Sequence, residues 1–121
     1  MYQFPIGVIL ESFRLDRSAA IRQAAAMGAN GIQMYATQGE NSPENLNAAA
    51  RKELLKEVKD AGLCFSALCG DLGKGFGNAE INPELIEKSK RIVDLALDLD
   101  TKIITTHIGV VPSDKNHDRY K

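Results

Sequence analysis

The sequence predicts an α/β fold in which four parallel strands alternate with three main helices. Short apolar runs typical of buried strands recur along the chain, and each of the first three is followed by apolar residues at helical spacing. Each β-α unit spans about 25 to 40 residues, which suits a right-handed β-α-β crossover. At 121 residues the chain holds one domain at most.

The first unit consists of a strand at residues 6–11 and a helix with recognisable ends. Asp16 or Ser18 is suited to accept a hydrogen bond from the first helical turn, and Gly28 is suited to the left-handed position that ends a helix. The predicted buried stripe of this helix is Ile21, Ala24 and Ala25.

The second unit begins with a strand at Gly31–Tyr35. Residues 42–44 are Ser-Pro-Glu, the succession of capping residue, first-turn proline and acidic residue that is typical of a helix start. The long helix is expected from about Asn47 to Gly62. Its predicted apolar face is Leu54, Leu55, Val58 and Ala61.

The third unit has a strand at residues 63–69, a loop at residues 70–77 that we call the glycine loop, and a helix that starts at Asn82-Pro83-Glu84. The predicted buried face of this helix is Leu85, Ile92, Val93, Ala96 and Leu99. A fourth strand is predicted at residues 103–109.

Only residues 110–121, a polar segment with Pro112, follow the fourth strand. A parallel strand normally leads into a helix that covers it. We therefore expect residues 1–121 to be a partial (β/α) barrel domain, truncated after its fourth strand.

Two folds fit this pattern. One is the first half of a TIM (β/α)8 barrel, which typically needs about 250 residues, and the other is a flavodoxin-like three-layer sandwich. The barrel half requires strand order 1-2-3-4, whereas the sandwich requires 2-1-3-4. A barrel half also exposes an apolar inner face, so we expect self-association or pairing with the missing half-barrel.

Successive side chains of a strand point to opposite faces of the sheet. If the polar residue at the carboxyl end of each strand points to the inner face, the face of every other strand residue follows. The expected inward set is Gly7, Ile9, Glu11, Gln33, Tyr35, Phe65, Ala67, Cys69, Asp71, Ile103, Thr105 and His107. The expected outward set is Ile6, Val8, Leu10, Ile32, Met34, Cys64, Ser66, Leu68, Ile104, Thr106 and Ile108.

Composition excludes several classes of partner. The formal net charge of −1 and the lack of a basic stripe argue against nucleic acid, and no apolar run reaches the roughly 18 residues of a membrane helix. Cys64 and Cys69 on one strand lie about 16 Å apart, too far for a disulfide between them. Reduced thiols and the absence of a secretory signal indicate a cytoplasmic protein.

Four residues at the carboxyl ends of the strands are candidates for substrate binding. His107 is a metal ligand, an acid/base or a substrate contact, or else a partly buried histidine satisfied by a neighbour. Asp71 either faces the same opening as His107, the mouth formed by the carboxyl ends of the strands, or caps the following loop. Glu11 either orients a sugar hydroxyl or pairs with Arg14, and Tyr35 either stacks on substrate or is a wall aromatic.

The glycine loop, Gly-Asp-Leu-Gly-Lys-Gly-Phe-Gly, matches neither common nucleotide-binding pattern. Its helix also starts well downstream, so backbone N–H groups are not focused on one point. We expect a mobile loop near the mouth in which Lys74 is available to an anion.

Four segments together resemble the sugar-phosphate isomerase/epimerase family with the xylose-isomerase-like barrel. They are residues 6–13 (IGVILESF), 28–37 (GANGIQMYAT), 62–71 (GLCFSALCGD) and 105–109 (TTHIG). The resemblance covers essentially the whole chain but only the first half of the family's fold. It implies a divalent metal (Mn, Mg, Co or Zn) and proton transfer next to a carbonyl of a sugar or sugar phosphate.

The same resemblance implies that most metal ligands lie on later strands. His107 matches a fourth-strand position that binds metal in a related endonuclease branch and more often faces substrate in the sugar branch. Family members commonly carry Glu where this chain has Gln33, which argues against a general base there. We therefore expect the isolated 121-residue chain to have little or no isomerase activity and to lack most of the ligands of the usual four-ligand metal site, with His107 as its candidate ligand.

Two other functions compete with the isomerase hypothesis. An abasic-site endonuclease-like phosphodiesterase of the same superfamily would need a metal-ligand cluster and a basic DNA-facing surface, and the sequence has neither. A flavodoxin-like module without catalytic activity would be a stable monomer.

Overall fold

The structure, a computed structural model, describes residues 3–120. The strands are β1 Gly7–Ile9, β2 Gly31–Tyr35, β3 Cys64–Cys69 and β4 Ile104–Thr105; the helices are α1 Arg17–Ala26, α2 Ala48–Asp60 and α3 Asn82–Asp98. Short 3-10 turns occupy Leu10–Phe13, Gly39–Asn41 and Asp118–Tyr120. No helix in the described part of the chain has the length and apolarity needed to cross a membrane.

The four strands form one sheet in the order β1-β2-β3-β4, and every neighbouring pair is parallel. This is the order that the barrel-half prediction requires. It excludes the sandwich order 2-1-3-4, because β1 lies at the edge and does not pair with β3. The α/β class with four parallel strands and three helices is therefore confirmed.

Side-chain caps determine where the first two helices begin. Asp16 and Asn47 each accept a hydrogen bond from the backbone N–H three residues on, at 2.9 Å in both cases. Gly28 and Gly62 follow the two helices with φ of +80° and +79°, the left-handed geometry expected of them. Residues 42–44 form a turn and not a helix start, because α2 begins at Ala48 behind its own cap.

The helices pack on one face of the sheet around fully buried side chains. In α3 the prediction for Val93 was wrong, since this side chain is 46% exposed and Leu95 is fully buried. The buried face of α3 also includes Leu85, Ile92, Ala96 and Leu99. Val93 lies instead beside Ile86 and Leu97 on a second, exposed apolar stripe of α3.

The outer strands are shorter than predicted. The first strand was expected to reach residue 11, but the chain turns into a 3-10 helix at Leu10, and Arg14 after it has φ +54°. The fourth strand was expected over residues 103–109 and covers only Ile104–Thr105, because its partner β3 ends at Cys69.

A β-bulge in β3 reverses the expected facing of three residues, Cys64, Phe65 and Ser66. Ile32 pairs with Phe65 and Gln33 pairs with Ala67, so Ser66 is an extra residue on β3. Phe65 is therefore buried on the helix-covered face, and Cys64 lies on the inner face, the opposite of the alternation expected from sequence.

Two glycines make room for the bulge. A Cβ at Gly7 would lie 2.9 Å from Ser66 Oγ, and one at Gly31 would lie 3.2 Å from Ser66 Cβ. The Ser66 hydroxyl donates to the carbonyl of Ile32 at 2.9 Å. Ser66 thus occupies the inner face, where it was expected to point outward, and fills the space that these glycines leave.

Candidate functional site

His107 and Asp71 form a contact at the carboxyl ends of β4 and β3. His107 Nδ1 lies 2.6 Å from Asp71 Oδ2, and the backbone N–H of Gly73 donates to Asp71 Oδ1 at 2.9 Å. Asp71 therefore caps the glycine loop and at the same time contacts the histidine. The His107 side chain is 82% exposed and not partly buried.

The electrostatics of this pair favour an ionised carboxylate. The Gly73 N–H, followed by the hydrogen bond and charge of His107, lowers the pKa of Asp71 below its usual range. A carboxylate on one ring nitrogen orients the imidazole and leaves Nε2 for a proton, a substrate oxygen or a metal. Within residues 3–120 no protein atom hydrogen-bonds to Nε2.

We expect the pKa of Asp71 to rise in His107→Ala but to stay below its usual range, because the Gly73 N–H persists. A lowered pKa stabilises the fold above the unfolded-state pKa, near 3.9, and that contribution is lost as pH falls through the folded-state pKa. The measurement is an NMR titration of carboxyl carbons in both proteins.

Glu84 is the internal control for this titration. Lys88 lowers its pKa through a hydrogen bond and its charge, and His107 is not among the groups that shift it, so its titration should be the same in both proteins. An unchanged pKa of Asp71 in His107→Ala would show that the imidazole does not interact with the carboxylate in solution.

Glu11 lies in the 3-10 turn after β1 and is held to β2. Its Oε1 accepts the backbone N–H of Tyr35 at 2.9 Å, and its Oε2 is buried with no hydrogen-bond partner in the described part of the chain. The alternative pairing with the Arg14 side chain is not formed; Arg14 donates only its backbone N–H to the Glu11 carbonyl. The carboxylate therefore positions the end of β2.

Tyr35 borders an open cleft of about 450 Å³ together with Glu11 and residues 38–41. Its side chain is 41% exposed and reachable from solvent. An accessible aromatic ring beside polar side chains can stack on the apolar face of a sugar ring.

Gln33 makes a hydrogen bond that joins two strands across β3. Its Nε2 donates to Thr105 Oγ1 at 3.1 Å, and Ala67 on the intervening strand is small and buried. The amide cannot accept a proton as a carboxylate does. The sequence did not predict this contact or the role of Thr105 in it.

The glycine loop is held at several points along its length. Besides the Asp71–Gly73 contact, the N–H of Phe76 donates to the carbonyl of Ile108 at 2.8 Å. The spacing Asp-x-Gly at residues 71–73 is the sequence signal that predicts the first of these contacts. Lys74 borders a cleft of about 460 Å³ that is also lined by Lys88, Glu44 and Asp71.

The described residues offer few donor atoms for a divalent metal. In residues 3–120 no group of three or more His, Cys, Asp or Glu side chains is arranged to hold a metal ion. His107 offers one free ring nitrogen, which is at most one ligand, whereas catalytic zinc sites use three protein ligands. The described residues alone therefore do not fit a metal centre.

Comparison with protein families matches residues 21–121 to the model described as xylose isomerase-like TIM barrel. Among solved structures, a xylose isomerase domain protein from Planctomyces limnophilus aligns with a TM-score of 0.73 and 18% identity, over 97% of this chain and 45% of that protein. A D-psicose 3-epimerase studied with D-fructose aligns with a TM-score of 0.70 and 16% identity, over 94% and 41%.

A probable 3-DHS dehydratase from Bacillus anthracis also aligns, with a TM-score of 0.66 and 22% identity, over 85% of this chain and 38% of that protein. A search of curated proteins finds no significant match. The chain thus spans less than half the length of these solved structures. Identities this low show a shared fold, part of a TIM barrel.

Proposed function

Since the chain belongs to the xylose isomerase-like TIM barrel family, we propose that it is the N-terminal half of a sugar or sugar-phosphate isomerase or epimerase. In that enzyme the chain would form the part of the active-site rim at the carboxyl ends of the first four strands. In TIM barrels the active site lies at this carboxyl face.

One observation carries the proposal: the exposed His107 is oriented by the ionised Asp71 at the ends of neighbouring strands. Isomerisation and epimerisation next to a carbonyl need a group that binds an oxygen or holds a proton while the adjacent C–H bond breaks. His107 Nε2 is suited to that contact, with Asp71 fixing the ring. Tyr35 supplies a stacking surface, and Glu11 holds Tyr35 in place.

A divalent metal, whether Mn, Mg, Co or Zn, belongs to the proposal only for the intact enzyme. Such an ion would polarise the substrate carbonyl. Because residues 3–120 do not fit a metal centre, His107 is at most one ligand of a site completed by other residues. The isolated 121-residue chain is accordingly expected to have little or no isomerase activity.

The proposal includes a location and a partner for the chain. Free thiols at Cys64 and Cys69 support a cytoplasmic location. Exposed apolar side chains on the sheet, including Ile9 and Ile103, support self-association or pairing with the remaining half-barrel.

Binding of sugars to the isotope-labelled 121-residue chain tests the proposal. We expect D-fructose and D-fructose 6-phosphate to shift the NMR signals of the His107 ring and of Tyr35. Glycerol is the control ligand, and the ring of His117, in the segment after β4, is the control residue. Shifts confined to other surfaces, or equal shifts with glycerol, would contradict the assignment of this rim as a sugar site.

A further inference from the structure

The segment that carries His107 is bracketed by the glycine loop. On one side, the N–H of Gly70 donates to the carbonyl of Thr105 at 2.8 Å. On the other, the N–H of Phe76 donates to the carbonyl of Ile108 at 2.8 Å. His107 lies between these two backbone hydrogen bonds, so its position depends on how closely the loop approaches residues 108 and 109.

At that approach two glycine backbones touch. A Cβ built on Gly75 would lie 2.4 Å from Gly109 Cα and 2.7 Å from the Ile108 carbonyl oxygen, closer than real Cβ atoms come to other heavy atoms. Both obstacles are backbone atoms, which cannot rotate away as a side chain can. Any side chain at position 75 must therefore push residues 108 and 109 away from the loop.

Backbone conformation adds a second requirement for glycine. Gly75 has φ +62° and Gly109 has φ +130°, and side-chain-bearing residues rarely adopt such values. The loop is also anchored on its far side, since the Asn82 side chain donates to the carbonyl of Phe76 at 2.9 Å. The first turn of α3 thus holds the loop against which residues 108 and 109 rest.

We infer that the contact between Gly75 and Gly109 holds His107 against Asp71, which makes both glycines positioning residues of the rim. The inference rests on the proposed function, because the position of His107 matters to catalysis only if its ring meets the substrate. Neither glycine touches the imidazole or the carboxylate; they act by setting the path of the backbone on which His107 stands.

The test compares Gly75→Ala with Gly62→Ala. Gly62 has φ +79° and no atom of the described residues within 4 Å of an added Cβ, so its variant carries a similar backbone cost without displacing a neighbour. Both variants should melt at a lower temperature than the parent. Only Gly75→Ala should raise the pKa of Asp71 as His107→Ala does, shift the His107 ring signals, and weaken sugar binding about tenfold.

Each outcome decides one question. A folded Gly75→Ala with the parent's Asp71 titration and His107 signals would overturn the inference while leaving the proposed function intact. If the parent binds no sugar but Gly75→Ala still releases His107, the positioning holds and the proposed function fails. Should Gly75→Ala not fold, Gly109→Ala replaces it, because among the described residues its Cβ meets only Gly75 Cα, at 3.7 Å, and the substitution acts through the φ of +130°. It should shift the same Asp71 titration and His107 signals, and their persistence in a folded Gly109→Ala would overturn the inference.

Discussion

Replacing Leu68 with alanine is expected to lower the free energy of unfolding of the 121-residue chain by about 2–5 kcal/mol. Leu68 lies in β3, is fully buried, and stands in register with Met34 on one side and Ile104 on the other. Truncation would leave a cavity between the sheet and its helices. Domains of this size have a total stability of about 5–15 kcal/mol, so the loss is a large share.

Urea unfolding followed by circular dichroism measures this effect, and Leu97→Ala is the matched control. Leu97 is the same residue type but is 68% exposed on α3. Its replacement should change the free energy of unfolding by no more than about 0.5 kcal/mol. Similar losses in the two variants would mean that Leu97 is covered in solution, by a second copy or another partner.

His107→Ala is expected to slow proton exchange next to the substrate carbonyl by about 10²- to 10⁴-fold, the usual contribution of a positioned acid or base. The assay uses the product of the complete native reading frame and follows deuterium uptake from solvent into the sugar. Asp71→Asn should reduce the rate less, because it removes the orienting carboxylate and leaves the imidazole.

The chain's other histidine provides the control for this assay. His117 lies in the segment after β4 and has no part in the proposed rim, so His117→Ala should retain the parental rate. Deuterium uptake by His107→Ala at the parental rate would remove His107 from the catalytic machinery, even if the protein proved to be an isomerase.

Local patterns in the sequence predict most of the fold. Gly31–Tyr35 was predicted with its observed bounds, Asp16 caps its helix as expected, and the second long helix begins close to the predicted Asn47. These features depend on residues close together in the chain. The strand order was decided only by the structure, because both candidate folds share the same succession of elements.

The bulge at Ser66 shows where such patterns fail. A period-two alternation assumes that no residue is inserted, so it assigned Phe65 and Cys64 to the wrong faces. Val93 was assigned to the buried face because α3 carries apolar residues on more than one of its faces. Whether such a face is buried depends on which other element covers it.

The candidate site was predictable in its location but not in its contacts. His107 and Asp71 were expected near each other because they follow the carboxyl ends of strands, and in the structure His107 Nδ1 lies 2.6 Å from Asp71 Oδ2. The hydrogen bond from the Tyr35 backbone to Glu11 joins residues far apart in sequence, as does the approach of Gly75 to Gly109. Their geometry exists only once the loops are packed.

The strand order also sets how this chain can assemble during its synthesis. Each strand pairs with the one made just before it: Gly7 stands opposite Gly31, Gly31 opposite Cys64, and Leu68 opposite Ile104. No strand has to wait for a later one to be inserted beside it. A sheet ordered in this way can grow from the amino terminus as the chain leaves the ribosome, with β4 the last of the four strands to join.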